Sequence, residues 1–127
     1  MYASEADLTS AAGASTYAQL MKLAGDQAPT RGADAIARAV AEIDSYLCRQ
    51  FALPLAQVPA VLRSVCCDIA IYRLWVPAPP EDVVRRYSDA VAWLRRVADG
   101  TVGLGLAGDY KPPVEAKRRI GSVALVI

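Results

Sequence analysis

Residues 42–75, EIDSYLCRQFALPLAQVPAVLRSVCCDIAIYRLW, join two apolar-striped stretches through a segment carrying two prolines. Ile36, Val40, Ile43 and Leu47 recur at steps of four, three and four. Val61, Leu62, Val65, Cys66, Ile69 and Tyr72 follow a similar rhythm, so each stretch offers one buried stripe of a helix. Pro54 biases Leu53 away from helical backbone, which places the end of the first helical region there. Pro59 suits the first turn of the next helix, where its missing N–H is not needed. Two helices of this kind must fold back on each other to bury their stripes, and Ile43, Leu47, Leu62 and Ile69 are the expected contacts across the elbow.

The rest of the chain extends this into an all-α reading: a small bundle of four to five helical segments with an extended C-terminal tail. Ser4 with Asp7 three residues on predicts an N-cap opening a first helix that runs to about Gly13, although Glu or Gln is the usual partner in such a box. A short segment from Ser15 to Ala24 follows, and the Gly25-Asp26-Gln27-Ala28-Pro29 stretch reads as a break. The third helix is expected over about residues 33–50 and the fourth over 59–75. The fifth begins near Pro80, carries Val83, Tyr87, Val91, Leu94 and Val97, and ends at Asp99-Gly100. This gives a helical domain over 1–100 and a tail over 101–127. In the tail Val102, Leu104 and Leu106 alternate with Thr101, Gly103 and Gly105 in a strand-like period, and 120–127 is almost wholly aliphatic. Such an end is poorly placed in water. It either folds back on its own core or binds a neighbouring subunit or another partner, with Leu104, Leu106, Val123, Leu125 and Ile127 as interface candidates.

Several chemistries are excluded or weakened by what the chain contains. It has no histidine, which removes Ser-His-Asp and Cys-His catalysis, and its three cysteines are too few for a structural zinc site. Cys66 and Cys67 are adjacent rather than spaced by two, and Cys66 shares a stripe with Leu62 and Ile69, so it reads as a small buried hydrophobe. The run from Gly103 to Gly108 matches a dinucleotide fingerprint in letters only: a helix precedes it and Lys111-Pro112-Pro113 follows, the reverse of the context that motif needs. No cofactor or metal is expected, and no catalytic role. A net charge of +1 supplies no field drawing the chain to nucleic acid or an anionic membrane. No apolar run has the length of a membrane span, so a soluble, cytosolic chain is expected.

Charges on the fifth helical segment fall at four-residue spacings: Asp82 with Arg86, Arg85 with Asp89, Arg95 with Asp99. They are expected to pair on the surface and to neutralise the arginines. Asp44 and Asp68 sit on or beside apolar stripes, where a carboxylate needs a partner; Arg49, Arg63 and Arg73 are the guanidinium candidates, within or between subunits. Trp75 and Trp93 are interface anchors if they stand off the core stripes.

Four places carry a family resemblance: the opening MYASEADL; Glu42-Ile43-Asp44-Ser45-Tyr46-Leu47 with Leu53-Pro54-Leu55 and Val58-Pro59; Cys67-Asp68-Ile69-Ala70 with Tyr72-Arg73-Leu74; and Arg86-Tyr87 followed by Trp93-Leu94. Together they resemble the small Mu-like phage and prophage head-tail connector proteins, also described as head-completion or adaptor proteins. The resemblance covers about the first hundred residues and fades beyond Leu106. It implies a structural protein of the virion neck, made in the bacterial host cytoplasm. It also implies a ring, commonly dodecameric, beneath the portal protein, with a stopper or tail-completion protein as the next partner and DNA only as channel content. A small helical DNA-binding or regulatory prophage protein is the alternative, and a cofactor-free enzyme using carboxylates a more distant one.

Overall fold

The computed structural model describes residues 1–75 and 78–104, and everything below refers to these. Five α-helices carry the fold: α1 (Glu5–Ala12), α2 (Ala14–Ala24), α3 (Ala28–Leu47), α4 (Ala60–Leu74) and α5 (Glu81–Ala98). A 3-10 turn (Gly25–Gln27) leads into α3, and no strand occurs among the described residues. The all-α expectation holds. None of these helices is long and apolar enough to cross a membrane.

The helix boundaries follow local chemistry. Ser4 and Asp7 form a complete capping box: the Asp7 N–H donates to Ser4 Oγ at 3.1 Å and the Ser4 N–H donates to Asp7 Oδ2 at 3.0 Å. The shorter Asp side chain thus does what Glu does in the commoner box. Gly13, at φ +91°, closes α1 and opens α2, so one residue turns the chain between the two helices. The break expected around residues 25–29 is narrower than that. Pro29 lies in the first turn of α3, where no intrahelical N–H is required, so the helix starts at Ala28 rather than near residue 33.

At its other end α3 stops at Leu47, short of the expected Gln50, and residues 48–50 continue as turns in which the Gln50 N–H donates to Leu47 O at 3.0 Å. The Gln50 side chain instead donates through Nε2 to the carbonyl of Ala98, at the C-terminal end of α5, at 3.0 Å. The Leu53–Pro54 peptide in the elbow is cis, and Pro59 is the N-cap of α4.

The core forms where α3 meets α4, with α5 laid across both, α1 against α4 and α2 against α3. Leu8, Ile43, Leu47, Leu62, Ile69 and Leu94 are fully buried, which places all four expected elbow contacts in the core. Arg96, Gly100 and Thr101 end α5 in a Schellman arrangement: the Gly100 N–H donates to Val97 O and the Thr101 N–H to Arg96 O, with Gly100 at φ +83°. The chain then bends back and buries Leu104 against the bundle, leaving it 4% exposed, with Val102 packed beside it. The packed body therefore continues past the boundary drawn at residue 100. Leu104, expected at an interface, belongs to this subunit's own core. An isolated pair of glycines and aliphatics carries no signal of the Schellman turn that aims it inward.

Candidate functional site

The elbow end of the bundle collects three parts of the chain that are distant in sequence. Tyr2 is buried and its Oη donates to the carboxylate of Asp44, near the C-terminal end of α3, which fixes the N-terminus beside the elbow. Burial, followed by that bond to Asp44, pushes the Tyr2 phenol well above its usual range. Gln50 ties the elbow to the end of α5, so that helix also finishes at this end.

Next to Tyr2 lies a groove of about 400 Å³ whose walls include Met1, Asp7, Val58, Pro59, Ala60 and Arg63. A second groove of about 580 Å³ shares Asp7, Ala60 and Arg63 with the first and continues along α1 and α4 to Ser10, Ser64 and Asp68. The apolar end is open to solvent, with Met1 80% exposed and Val58 45%. Large aliphatic side chains left in water beside a groove are the kind of surface that a partner covers.

Asp68, at the far end, is half-buried on α4. Among the described residues it has no hydrogen bond or ion pair. Removal from water raises its pKa; the charge of Arg86 works against that rise and the charge of Asp89 adds to it. Asp7 is held low by its backbone and side-chain bonds with Ser4, and the charge of Arg63 acts in the same direction.

The expected arginine partners are distributed differently. Asp44 takes a phenol, Tyr2, in place of a guanidinium. Arg73 goes to Glu42, Nη2 to Oε1 at 2.7 Å, and this is the ion pair recorded among the described residues. Tyr87 Oη donates to Glu42 Oε2 at 2.8 Å, and Arg73 Nη2 also reaches Tyr87 Oη at 3.3 Å. The Tyr87 ring stacks on Tyr72, with centroids 4.0 Å apart and planes 9° from parallel, and the guanidinium of Arg73 lies 5.4 and 5.6 Å from the two centroids. Arg31 donates to the Arg73 carbonyl at 3.2 Å. The Glu42 bond raises the Arg73 pKa further, and burial followed by the Glu42 bond raises that of Tyr87. This cluster clamps α3, α4 and α5 together. Its polar atoms satisfy one another, so it reads as a structural lock rather than a ligand site. Glu42, Tyr72 and Tyr87 were legible as family words and helix-face residues, but nothing in their spacing ties positions 42, 73 and 87 together.

Arg63 is exposed on the wall shared by the two grooves. Trp75 and Trp93 are half-buried and packed on the core, so each leaves only part of its surface for a partner. Leu106, Val123, Leu125 and Ile127 lie outside the described residues. The three expected pairs on α5 do not close: none of Asp82–Arg86, Arg85–Asp89 and Arg95–Asp99 forms an ion pair within 4.0 Å. Long exposed side chains lose more freedom in such pairs than a solvent-screened attraction returns. Cys66 and Cys67 are buried, and burial pushes their thiols up to about 12 and about 11, so neither is a thiolate near neutral pH.

Against this geometry, residues 2–122 match the family model described as Bacteriophage Mu, Gp36. Gene product J of Escherichia phage Mu is 42% identical over 72 residues, covering 57% of this chain and 51% of that protein. The Mu-like prophage FluMu protein gp36 of Haemophilus influenzae is 41% identical over 76 residues, covering 60% of this chain and 54% of that protein. The chain thus spans about half the length of the curated relatives it matches. With nearly its whole length under one family model, this chain belongs to the Bacteriophage Mu Gp36 family of phage proteins.

Proposed function

We propose that the protein is a structural head-tail connector, or head-completion protein, of a Mu-like phage or prophage, and that it performs no reaction. It is made in the host cytoplasm and takes its place in the virion neck. There its copies form a ring beneath the portal protein, extend the DNA channel and present a docking surface to a stopper or tail-completion protein. The observation that carries the reading is the elbow end. The described body has a packed core and still leaves Met1 and Val58 exposed beside a groove. A helical wedge with one such face can associate head to tail and close into a ring. Membership of a Mu phage family supports the setting.

The test is the mass of the chain alone and with its cognate portal protein. The expected result is a portal-dependent oligomer of defined copy number; a chain that stays monomeric with a folded, assembled portal overturns the reading.

A second reading, a small DNA-binding or regulatory protein, draws on Arg85, Arg86, Arg95 and Arg96, which are exposed on α5. Glu81, Asp82 and Asp89 stand exposed on the same helix and Asp99 at its C-cap, which lowers the net field. Duplex binding that weakens steeply with added salt favours this alternative.

A further inference from the structure

The continuous groove between α1 and the start of α4 has two chemically different ends. One is apolar, around Met1, Val58 and Pro59; the other holds Asp68 with the hydroxyls of Ser10 and Ser64, and Asp7 and Arg63 line the stretch the two share. We infer that this groove is the seat of residues 117–127 from a neighbouring copy of the same chain. The inference rests on the connector reading only in taking the neighbour to be related by a ring axis.

The chemical order of that segment matches the groove. Lys117, Arg118 and Arg119 come first and Ile120-Gly-Ser-Val-Ala-Leu-Val-Ile follows. The basic triplet suits the half-buried carboxylate of Asp68, which has no hydrogen bond among the described residues, and the aliphatic run suits the solvent-exposed side chains of Met1 and Val58. The spacing agrees. From Asp68 back to Ala60 is eight residues of helix, about 12 Å at 1.5 Å per residue. An extended chain covers that in about four residues at roughly 3.3 Å each. With Arg119 at Asp68, Val123 arrives beside Ala60 and Val58.

The point of departure agrees as well. α5 delivers the chain to the elbow end, where the apolar part of the groove also opens, shortly before the described residues stop at Leu104. Copies related by a rotation axis keep their elbow ends at one level, so a chain leaving one copy meets its neighbour's groove without crossing the bundle. Residues 105–116 reach up to about 40 Å when extended.

The experiment uses the full chain with Cys48→Ser, which removes the exposed thiol; Cys66 and Cys67 stay buried. Chains carrying Val58→Cys and chains carrying Val123→Cys are mixed under mild oxidation, with and without the portal protein, and a chain carrying both changes is treated alike. The expected products are a disulfide-linked heterodimer from the mixture and a ladder of linked copies from the double variant. Adding Asp68→Lys should reduce the heterodimer several-fold. A double variant that closes only within itself overturns the inference, because the segment then sits on its own subunit. No heterodimer under any condition also overturns it, and if portal-dependent rings still form, the connector reading stands without it. A heterodimer with no portal-dependent oligomer leaves the groove assignment in place and sinks the connector reading.

Discussion

Asp68 and Asp44 show how differently two carboxylates beside apolar stripes can be treated. Asp44 accepts a hydrogen bond from a buried phenol, whereas Asp68 is half-buried with no hydrogen bond or ion pair among the described residues. A raised pKa in the folded state means that the charged form is less favourable there than in the unfolded chain, so Asp68 opposes folding at neutral pH. Asp68→Asn should therefore raise the thermal midpoint of the isolated subunit at pH 7, and the gain should shrink as pH falls toward the ordinary Asp range. A midpoint that drops would show that the carboxylate is already satisfied within the subunit. The thiols act at the other end of the scale. Burial takes Cys66 from 9.0 to about 12 and Cys67 from 9.0 to about 11. The stability tied to their neutral forms is complete below pH 9 and is lost as pH rises through the folded values. Denaturant unfolding should show stability falling from pH 9 to pH 11, and Cys66→Ala should flatten that slope even though it opens a small cavity.

Among the elements, α2 comes close to α3 at Gly32. A Cβ added at Gly32 would stand 2.2 Å from Tyr17 Oη and 3.5 Å from the Cζ beneath it. Alanine is the better helix former by about 1 kcal/mol, yet here the hydroxyl occupies its space. Gly32→Ala alone should destabilise the fold, while the same change with Tyr17→Phe should recover that loss and gain up to about 1 kcal/mol by chemical denaturation. If the two changes are simply additive, this contact is not what keeps glycine at 32. Across the elbow, Leu62→Ala or Ile43→Ala removes a fully buried side chain from the α3–α4 seam and should cost about 2–5 kcal/mol. Equilibrium unfolding that shows almost no change would contradict the pairing of these helices.

At the level of the whole molecule, the described body extends to Leu104 rather than stopping at the end of α5. A chain ending after residue 104 should keep the helical signal and thermal midpoint of the full protein, whereas one ending after Gly100 loses the buried leucine and should melt several degrees lower. Equal midpoints for the two truncations would mean that Leu104 adds nothing to the core. The same two chains separate folding from assembly, since both lack residues 117–127 and should fail to occupy a neighbour's groove.

The sequence by itself determined the helical class, the proline elbow, the capping box at Ser4 and the four leucines and isoleucines that meet across it. Each of these is a local pattern: a period, a cap, or a residue that backbone geometry confines. It also carried the family words on which the Mu-like resemblance rested. It did not determine which charges meet. Arg73 chose Glu42 over either aspartate because α3, α4 and α5 bring those residues and Tyr87 to one point, and a partner 31 residues away leaves no mark in a helical period. Nor did it decide that Pro29 opens α3, that the i, i+4 pairs on α5 stay apart, or that Leu104 turns inward. Those outcomes depend on what lies opposite each residue in space, and only the packing of the helices sets that.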